Sequence, residues 1–139
     1  MNFKINIYDT QTNSSIKTFS FTENAYSASF RNDGSLVCIG FEDNNAKVFP
    51  LIDATNMEIT DENESATMKA KKRPLRKFSD HLGPVHVAKF TRSGYQVLTA
   101  SDDAHVRIFD LATSNTLMKL KAHKVRFLAY LFDILFLFI

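Results

Sequence analysis

The sequence contains a single cysteine and lacks an apolar segment at its amino terminus. Cys38 has no second cysteine to pair with, so the 139-residue chain cannot form an internal disulfide bond. The first residues, Met1 to Lys4, do not begin the apolar stretch of a secretory signal. Because structural disulfides mark oxidising compartments, these two absences favour an intracellular protein.

Neither sign of charge is in large excess. Seventeen basic residues stand against 15 acidic ones, which leaves a formal net charge of +2. This balance is too even to require nucleic acid or an anionic membrane as an obligatory partner. With 45% hydrophobic and 23% charged residues, the composition is that of one small globular domain.

The residue patterns that usually carry chemistry are also missing. The four glycines are scattered, and none belongs to a phosphate-binding loop that ends in lysine. His81, His86 and His105 lack the cysteines and the paired spacing of a zinc site. Cys38 lies in an apolar run, which indicates a buried and inert thiol. We therefore predict no enzyme, and no catalytic, metal, cofactor or small-molecule site.

One segment of the chain repeats itself without a gap. Ala25 to Leu51 returns sixty residues later as Val85 to Leu111. Seven positions are identical in the two copies: Ala28/Ala88, Phe30/Phe90, Gly34/Gly94, Val37/Val97, Asp43/Asp103, Phe49/Phe109 and Leu51/Leu111. Lys47 is matched by Arg107, a conservative change. Such periodic self-similarity is typical of a repeat architecture.

Short apolar runs between turn-forming residues predict that each copy is built of β-strands. The expected strands are Phe3 to Tyr8, Ile16 to Phe19, Ala25 to Arg31, Leu36 to Gly40, Ala46 to Phe49, Pro74 to Phe78, Val85 to Phe90, Gln96 to Ala100, Val106 to Asp110 and Thr116 to Leu120. They form two four-stranded antiparallel units, at 25–78 and 81–120, after a remnant of an earlier unit at 3–20. An inserted loop at 53–73 displaces the last strand of the first unit.

The spacing within the second copy resembles a WD repeat, in which a histidine, a hydroxyl, an aspartate and an aromatic residue form a hydrogen-bonded group. By this resemblance the group is His81, Thr99, Asp103 and Phe109. Phenylalanine replaces the family's tryptophan, so the group is expected to be one donor short. The resemblance implies an all-β, partial WD-repeat β-propeller over residues 1–124. Two blades and part of a third are fewer than the about 4–8 of a closed propeller, which indicates a fragment.

The first copy keeps only part of this pattern. Asp43 and Phe49 are its equivalents of Asp103 and Phe109. Phe21 stands where the histidine is expected, and an isoleucine replaces the hydroxyl. We expect this blade to depend on packing.

A more specific run lies at the start of the first copy. Residues 25–34 read AYSASFRNDG, and the related segments 16–20 and 74–78 accompany it. Together they resemble the WD-repeat subunits of the small-subunit processome, the U3 small nucleolar ribonucleoprotein. That resemblance implies a nuclear and nucleolar scaffold in pre-18S rRNA processing and ribosome biogenesis, with a link to rDNA transcription. Its implied partners are other processome subunits and the backbone of pre-rRNA or U3 RNA. The alternative is a WD-repeat adaptor in another complex, such as a ubiquitin ligase or a signalling assembly.

A basic cluster and an apolar tail leave several interpretations open. Clustered cations suit a nuclear-import signal or RNA phosphates, but also a solvated loop face and edge strand. The cluster is Lys69, Lys71, Lys72, Arg73, Arg76 and Lys77. The tail, 125–139, has Arg126 and Asp133 as its only charges. Its fifteen residues are fewer than the about 20 of a membrane span, which argues against a tail-anchored membrane protein. A partner-binding helix, or a departure from the family sequence, are the other interpretations.

Overall fold

A computed structural model describes residues 2–51 and 73–121. These residues form ten β-strands and, within those ranges, no helix. The strands are β1 Phe3–Tyr8, β2 Ser15–Phe21, β3 Ala25–Phe30, β4 Leu36–Phe41, β5 Ala46–Pro50, β6 Arg76–Phe78, β7 Val85–Phe90, β8 Gln96–Ser101, β9 His105–Asp110 and β10 Thr116–Lys121. The predicted all-β class is confirmed. The inserted loop, apart from Arg73, and the apolar tail lie outside the described residues.

The strands form three antiparallel sheets in chain order. The first sheet pairs β1 with β2, the second has the order β3-β4-β5-β6, and the third has the order β7-β8-β9-β10. Within each sheet every strand pairs with its sequence neighbour, although residues 51–75 separate β5 from β6. The two four-stranded sheets are the architecture expected of a partial WD-repeat propeller.

Glycines close the first turn of each four-stranded sheet. Gly34 and Gly94 have φ angles of 70° and 74°, in the left-handed region that favours glycine. Each donates its N–H to the carbonyl three residues earlier, on Arg31 and Thr91, at 2.9 Å. Both copies of the repeat therefore carry glycine at this position because the turn requires a left-handed backbone conformation.

Alternation along the strands gives the third sheet two faces. Its near face, which packs on the second sheet, carries Val85, Ala88, Phe90, Val97 and Phe109. These side chains share one core with Leu36, Cys38, Ala46, Val48 and Phe78 of the second sheet. The opposite far face carries Leu98, Ala100, Val106 and Ile108.

Close backbone approach and cross-sheet hydrogen bonds fix the second sheet against the third. A Cβ atom added at Gly40 would lie 2.7 Å from the carbonyl oxygen of Val85, so only glycine fits there without a shift. The N–H of Ala88 donates to the hydroxyl of Ser27 at 2.9 Å. Arg76 Nε donates to the carbonyl of Leu111 at 3.0 Å.

Candidate interaction site and its buried polar anchor

Four polar side chains form a buried group, here called the polar anchor, at one end of the third sheet: His81, Thr99, Asp103 and Arg107. Nδ1 of His81 lies 3.0 Å from Oδ2 of Asp103, and its Nε2 lies 2.7 Å from Oγ1 of Thr99. Nη1 of Arg107 donates to the same Asp103 oxygen at 2.6 Å and also contacts Nδ1 of His81. The strands β8 and β9 carry Thr99 and Arg107 side by side, since the two residues are register partners.

The protons of the polar anchor follow from its chemistry. A carboxylate can only accept, so Nδ1 of His81 donates to Asp103, and Nε2 accepts from the Thr99 hydroxyl. The other carboxylate oxygen accepts the N–H of His105 at 3.0 Å. Among the described residues, no buried side-chain nitrogen or oxygen lacks a hydrogen-bond partner. The group is therefore satisfied although it is shielded from water.

Burial and charge set the ionisation states. Burial raises the pKa of Asp103, but hydrogen bonds from Arg107, the Leu82 N–H and His81 outweigh it and hold that pKa well below its ordinary 3.8. Burial lowers the pKa of His81 below 6.5, and the hydrogen bond to Asp103 only partly opposes that shift. At neutral pH the group is thus a buried aspartate–arginine ion pair beside a neutral imidazole.

Arg107 is the member that sequence reasoning missed. Tryptophan's absence suggested a group one donor short, whereas the guanidinium of Arg107 supplies a donor from a different direction. Its side chain is 4% exposed and that of Asp103 is 5% exposed, so the ion pair is buried. The match of Lys47 with Arg107, each four residues after an aspartate, was the available signal.

Phe109 contributes packing to this end of the sheet. Its ring stacks on Phe78 with 4.8 Å between centroids and presents an edge contact to His81 at 6.3 Å. It is fully buried. Phe109 therefore joins the apolar core to the polar anchor without a hydrogen bond of its own.

In the second sheet, the equivalent aspartate is held by an ion pair, and aromatic rings pack beside it. Lys47 Nζ lies 2.6 Å from Asp43 Oδ2, and Lys47 also lies over the ring of Phe41, 4.4 Å from its centroid. The ring of Phe21 packs on those of Phe41 and Phe49, with 4.8 Å and 5.4 Å between ring centroids. The expectation that this blade depends on packing fits these contacts, with the ion pair as an addition.

The polar anchor positions an exposed loop. Leu82 donates its N–H to Asp103 at 3.1 Å, and Ser101 donates its hydroxyl to the carbonyl of Gly83 at 2.7 Å. Although its backbone is held in this way, the side chain of Leu82 is 86% exposed. The loop is rigidly tied and carries an apolar group into solvent, a combination suited to protein recognition.

Neighbouring side chains extend this exposed area, which we call the loop-end surface: Leu82, Tyr26, His86 and Asp102. The rings of Tyr26 and His86 are 4.6 Å apart, which bridges the second and third sheets. His86 Nε2 lies 2.8 Å from Asp102 Oδ2. Asp102 and Asp103, although adjacent in the chain, therefore bind different partners.

The predicted basic cluster lies only partly within the described residues. Lys69, Lys71 and Lys72 fall outside them, while Arg73 and Lys77 are exposed. Arg76 is half-buried, and its guanidinium donates to the carbonyls of Leu111 and Leu75. One of the three described cations of the cluster thus links two sheets.

A small cleft occupies the other end of the sheets. Its volume is about 190 Å³, and Arg31, Asn32, Arg92, Gly94 and Tyr95 are among its lining residues. The Tyr95 side chain is 74% exposed beside these two arginines. An exposed ring next to cations can stack a base and contact phosphate.

Other chemistry has little support in the described ranges. Within 2–51 and 73–121, no three His, Cys, Asp or Glu side chains are placed to hold a metal ion. No helix in those ranges has the length and apolar character needed to cross a membrane. Cys38 is fully buried, and burial raises the pKa of its thiol.

Comparison with known proteins agrees with this architecture. Residues 72–110 match the family described as "WD domain, G-beta repeat". The chain is 32% identical over 109 residues to U3 small nucleolar RNA-associated protein 15 homolog of Xenopus tropicalis, covering 78% of the chain and 18% of that relative. It is 33% identical over 114 residues to U3 small nucleolar RNA-associated protein 15 of Saccharomyces cerevisiae, covering 80% and 19%.

A guanine nucleotide-binding protein subunit beta of Arabidopsis thaliana is 36% identical over 55 residues, or 40% of the chain and 15% of that relative. The chain spans about a fifth of the length of the U3-associated relatives that it matches. The expected resemblance is confirmed. The chain contains a match to the WD-repeat family, and its sequence, over most of its length, is similar to U3 small nucleolar RNA-associated protein 15.

Proposed function

We propose that this chain is a non-catalytic WD-repeat scaffold of the small-subunit processome, acting in pre-18S rRNA processing and ribosome biogenesis. The observation that carries the proposal is its similarity to proteins named for association with U3 small nucleolar RNA, over 78–80% of the chain in frog and yeast relatives. A nuclear and nucleolar location, and a connection to rDNA transcription, follow as parts of the same proposal.

The arrangement of polar groups supports a scaffold more than an enzyme. The ion pair of Asp103 with Arg107 is buried and hydrogen-bonded, so it is not open to a substrate. Perturbed groups of this kind also occur in structural ion-pair networks. The exposed groups beside it are a leucine, a tyrosine and a histidine, which suit docking to another protein.

We assign protein docking to the loop-end surface. Leu82 is the most exposed large apolar side chain of the described residues, and the loop that carries it is held by the polar anchor. Rigid loops bind with a smaller loss of conformational entropy than mobile ones. Other processome subunits are the proposed partners.

Purification of the tagged full chain from cells tests this function. U3 RNA, measured by quantitative reverse transcription, is expected to copurify at a level well above an unrelated nucleolar RNA. Leu82→Asp should reduce this recovery several-fold with an unchanged melting temperature, because the side chain is exposed. Tyr8→Ala, which also replaces an exposed large side chain, is the matched control and should leave U3 RNA recovery unchanged.

Recovery of ubiquitin-ligase or signalling subunits without U3 RNA would instead identify the adaptor alternative. Equal losses for Leu82→Asp and Tyr8→Ala would remove the loop-end surface from the proposal. U3 RNA at background level would contradict the processome role itself.

A direct contact to RNA backbone is proposed at the cleft between the turns 31–35 and 91–95. Arg92 supplies a cation there and Tyr95 an exposed ring, whereas Arg31 is already bonded to Asp33 at 2.9 Å. Ultraviolet cross-linking in cells tests the contact: Arg92→Glu with Tyr95→Ala should lower cross-linked RNA several-fold. Unchanged cross-linking would leave protein contacts as the means of association.

A further inference from the structure

The turns at residues 31–35 and 91–95 are equivalent in the repeat, but they differ in the residue before the glycine. That residue is Asp33 in the first copy and Ser93 in the second. The backbone is alike in the two turns, since the glycines have φ angles of 70° and 74° and each donates its N–H to the carbonyl three residues earlier at 2.9 Å. A carboxylate and a hydroxyl therefore occupy matching places in one backbone conformation.

The carboxylate of Asp33 organises the first of these turns. It accepts the N–H of Ser35 at 3.0 Å and the hydroxyl of the same residue at 2.8 Å. Nε of Arg31 also donates to it, at 2.9 Å. The bond from Arg31, followed by the bond from the Ser35 N–H, holds the pKa of Asp33 well below its ordinary 3.8. The conformation of this turn is thus suited to an anion at the place before the glycine.

Ser93 makes related contacts that are weaker. The N–H of Tyr95, two residues later, lies 3.5 Å from its Oγ, and the hydroxyl of Thr91, two residues earlier, lies 3.0 Å from it. Ser93 is exposed to solvent, whereas Thr91 is buried. Ser93 therefore offers a hydroxyl that a second protein can reach, at a place where the first copy of the repeat holds an anion.

Two arginines lie close to this hydroxyl. Arg92 precedes Ser93 and is exposed. The side chain of Arg31 lies over the second turn, since a Cβ atom added at Gly94 would be 3.1 Å from its Cδ. Among the described residues, both arginines and Asp33 are the charged side chains that line the cleft with Ser93. Two cations against one carboxylate leave this cleft with a single positive charge.

We propose that Ser93 is a phosphorylation site whose phosphate reverses the charge of this cleft. A protein kinase transfers the γ-phosphoryl group of a nucleoside triphosphate to Oγ of Ser93. The bond from the γ-phosphorus to its bridging oxygen breaks and the bond to Oγ forms, while the hydroxyl proton passes to a base of the kinase and the nucleoside diphosphate leaves. A phosphoserine carries about −1.5 to −2 charges at pH 7, more than the one positive charge that it meets.

The phosphate changes what the cleft can bind. Its oxygens accept charge-assisted hydrogen bonds from a nearby guanidinium, and Arg92 is the arginine that is not already bonded to Asp33. Arg92 is then withdrawn from RNA phosphate, and the added negative charge repels the RNA backbone. This effect rests on the RNA contact proposed above, whereas the modification itself does not.

Mass spectrometry of the full chain, purified from cells with phosphatase inhibitors present, tests the modification. Fragment ions that separate Ser93 from Thr91 and Tyr95 should place a phosphate on Ser93, and phosphatase treatment should remove it. Phosphate on Thr91 or Tyr95 instead, or none within residues 91–95, would overturn the proposal.

The pairing of the phosphate with Arg92 can be measured without RNA. In the full chain made with phosphoserine at position 93, ³¹P nuclear magnetic resonance should find the second pKa of the phosphate below its ordinary value of about 6. Arg92→Gln should raise that pKa by a few tenths of a unit, because the cation favours the dianion. Lys119→Gln, at an exposed position of β10, is the matched control and should leave it unchanged. Equal values for the two variants would contradict the pairing.

Ultraviolet cross-linking in cells measures the effect on RNA. Ser93→Asp copies the residue of the first copy and should lower cross-linked RNA several-fold, whereas Ser93→Asn has the same shape without the charge and should retain it. Both variants should melt with the unaltered chain, since the equivalent turn holds an aspartate. Equal cross-linking of the two variants would overturn control by charge. RNA at background level in the unaltered chain and in both variants would instead overturn the RNA contact, while a phosphate found on Ser93 would still support the modification.

Discussion

The second and third sheets share one sequence repeat but stabilise the turn after their second strand by different chemistry. In the third sheet a buried aspartate accepts from His81, Arg107 and the loop backbone. In the second, Asp43 pairs with a partly exposed Lys47, and Phe21 occupies the place of the histidine. The aspartate with a cation four residues later is common to both, while the histidine and hydroxyl are exchangeable for apolar residues.

This difference shows which parts of the blade are replaceable. A polar pair can be exchanged for an apolar pair when both members change together, because no buried donor or acceptor is then left alone. A single change has no such compensation. The third sheet should therefore be more sensitive than the second to single substitutions at matching positions.

Substitution of the two aspartates should give the largest contrast. Asp103→Ala leaves Arg107 as an unpaired buried charge and should lower the free energy of unfolding by about 3–5 kcal/mol. Asp43→Ala, whose partner Lys47 can reach water, should cost about 1 kcal/mol. Urea unfolding of both variants measures the contrast, and equal losses would show that the two ion pairs are equivalent.

Gly40 and Ala100 are repeat equivalents, and a methyl side chain should destabilise the protein at position 40 but stabilise it at position 100. Gly40→Ala adds a Cβ against the Val85 carbonyl and should lower the free energy of unfolding by about 1–3 kcal/mol through overpacking. Ala100→Gly removes the methyl group and should lower it by about 1 kcal/mol, because a strand glycine gains backbone freedom on unfolding. Thermal melts of the two variants provide the comparison. A neutral Gly40→Ala would mean that the sheets can separate slightly at no cost.

His81 should show the cost of an isolated polar loss. His81→Ala removes the donor to Asp103 and leaves the hydroxyl of Thr99 without its buried partner, at a cost of about 1–3 kcal/mol. Urea unfolding measures it, with His86→Ala, at a partly exposed ring, as the control. Unfolding curves for His81→Ala that match the unaltered chain would remove the polar anchor from this account of stability.

A double variant can convert the third sheet toward the second. His81→Phe alone leaves the Thr99 hydroxyl with only its 3.4 Å bond to the carbonyl of Arg107, whereas His81→Phe with Thr99→Val replaces both partners by apolar groups, as Phe21 and Ile39 do in the first copy. The double variant should be more stable than the sum of the single losses predicts, by about 1 kcal/mol. Strict additivity in a double-mutant cycle would argue against a direct coupling between the two side chains.

The strands were predictable because alternating apolar residues and turn formers mark them locally. Val85–Phe90 has the same bounds in prediction and structure, and β6 begins at Arg76, two residues later than expected. The spacing of His81, Thr99 and Asp103 also allowed their hydrogen-bonded group to be predicted. Local patterns of this kind survive in any fold that uses the repeat.

The partners of the long cations were not predicted, although the cation four residues after an aspartate in both copies was a signal for Arg107. Arg107 in a strand and Arg76 in a basic cluster both have the pattern of solvent-facing charges, yet one pairs with a buried aspartate and the other donates to a carbonyl of the next sheet. Their partners are 4 and 35 residues away, and only the packing of strands and sheets brings them together. The close approach at Gly40 has the same origin.

Acidification should give the smallest of the expected effects: a loss of stability that arises from the third sheet. The folded protein holds the pKa of His81 below 6.5, so below that pH the unfolded chain binds a proton that the folded chain does not. Stability is therefore complete above about pH 6.5 and falls as the pH drops toward the folded pKa, since the unfolded state binds more protons. Asp103 adds a second loss below about pH 4, because its pKa is also lowered by folding.

The double variant His81→Phe with Thr99→Val should lose the first of these two steps and keep the second, since it retains Asp103 and Arg107. Urea unfolding at half-unit intervals between pH 5 and 7.5 measures the step, with His86→Ala, at a partly exposed histidine, as the control. A step of equal size in the double variant would assign the pH dependence to groups outside the polar anchor. Its disappearance would assign this titration to His81, at a position that Phe21 occupies in the first copy.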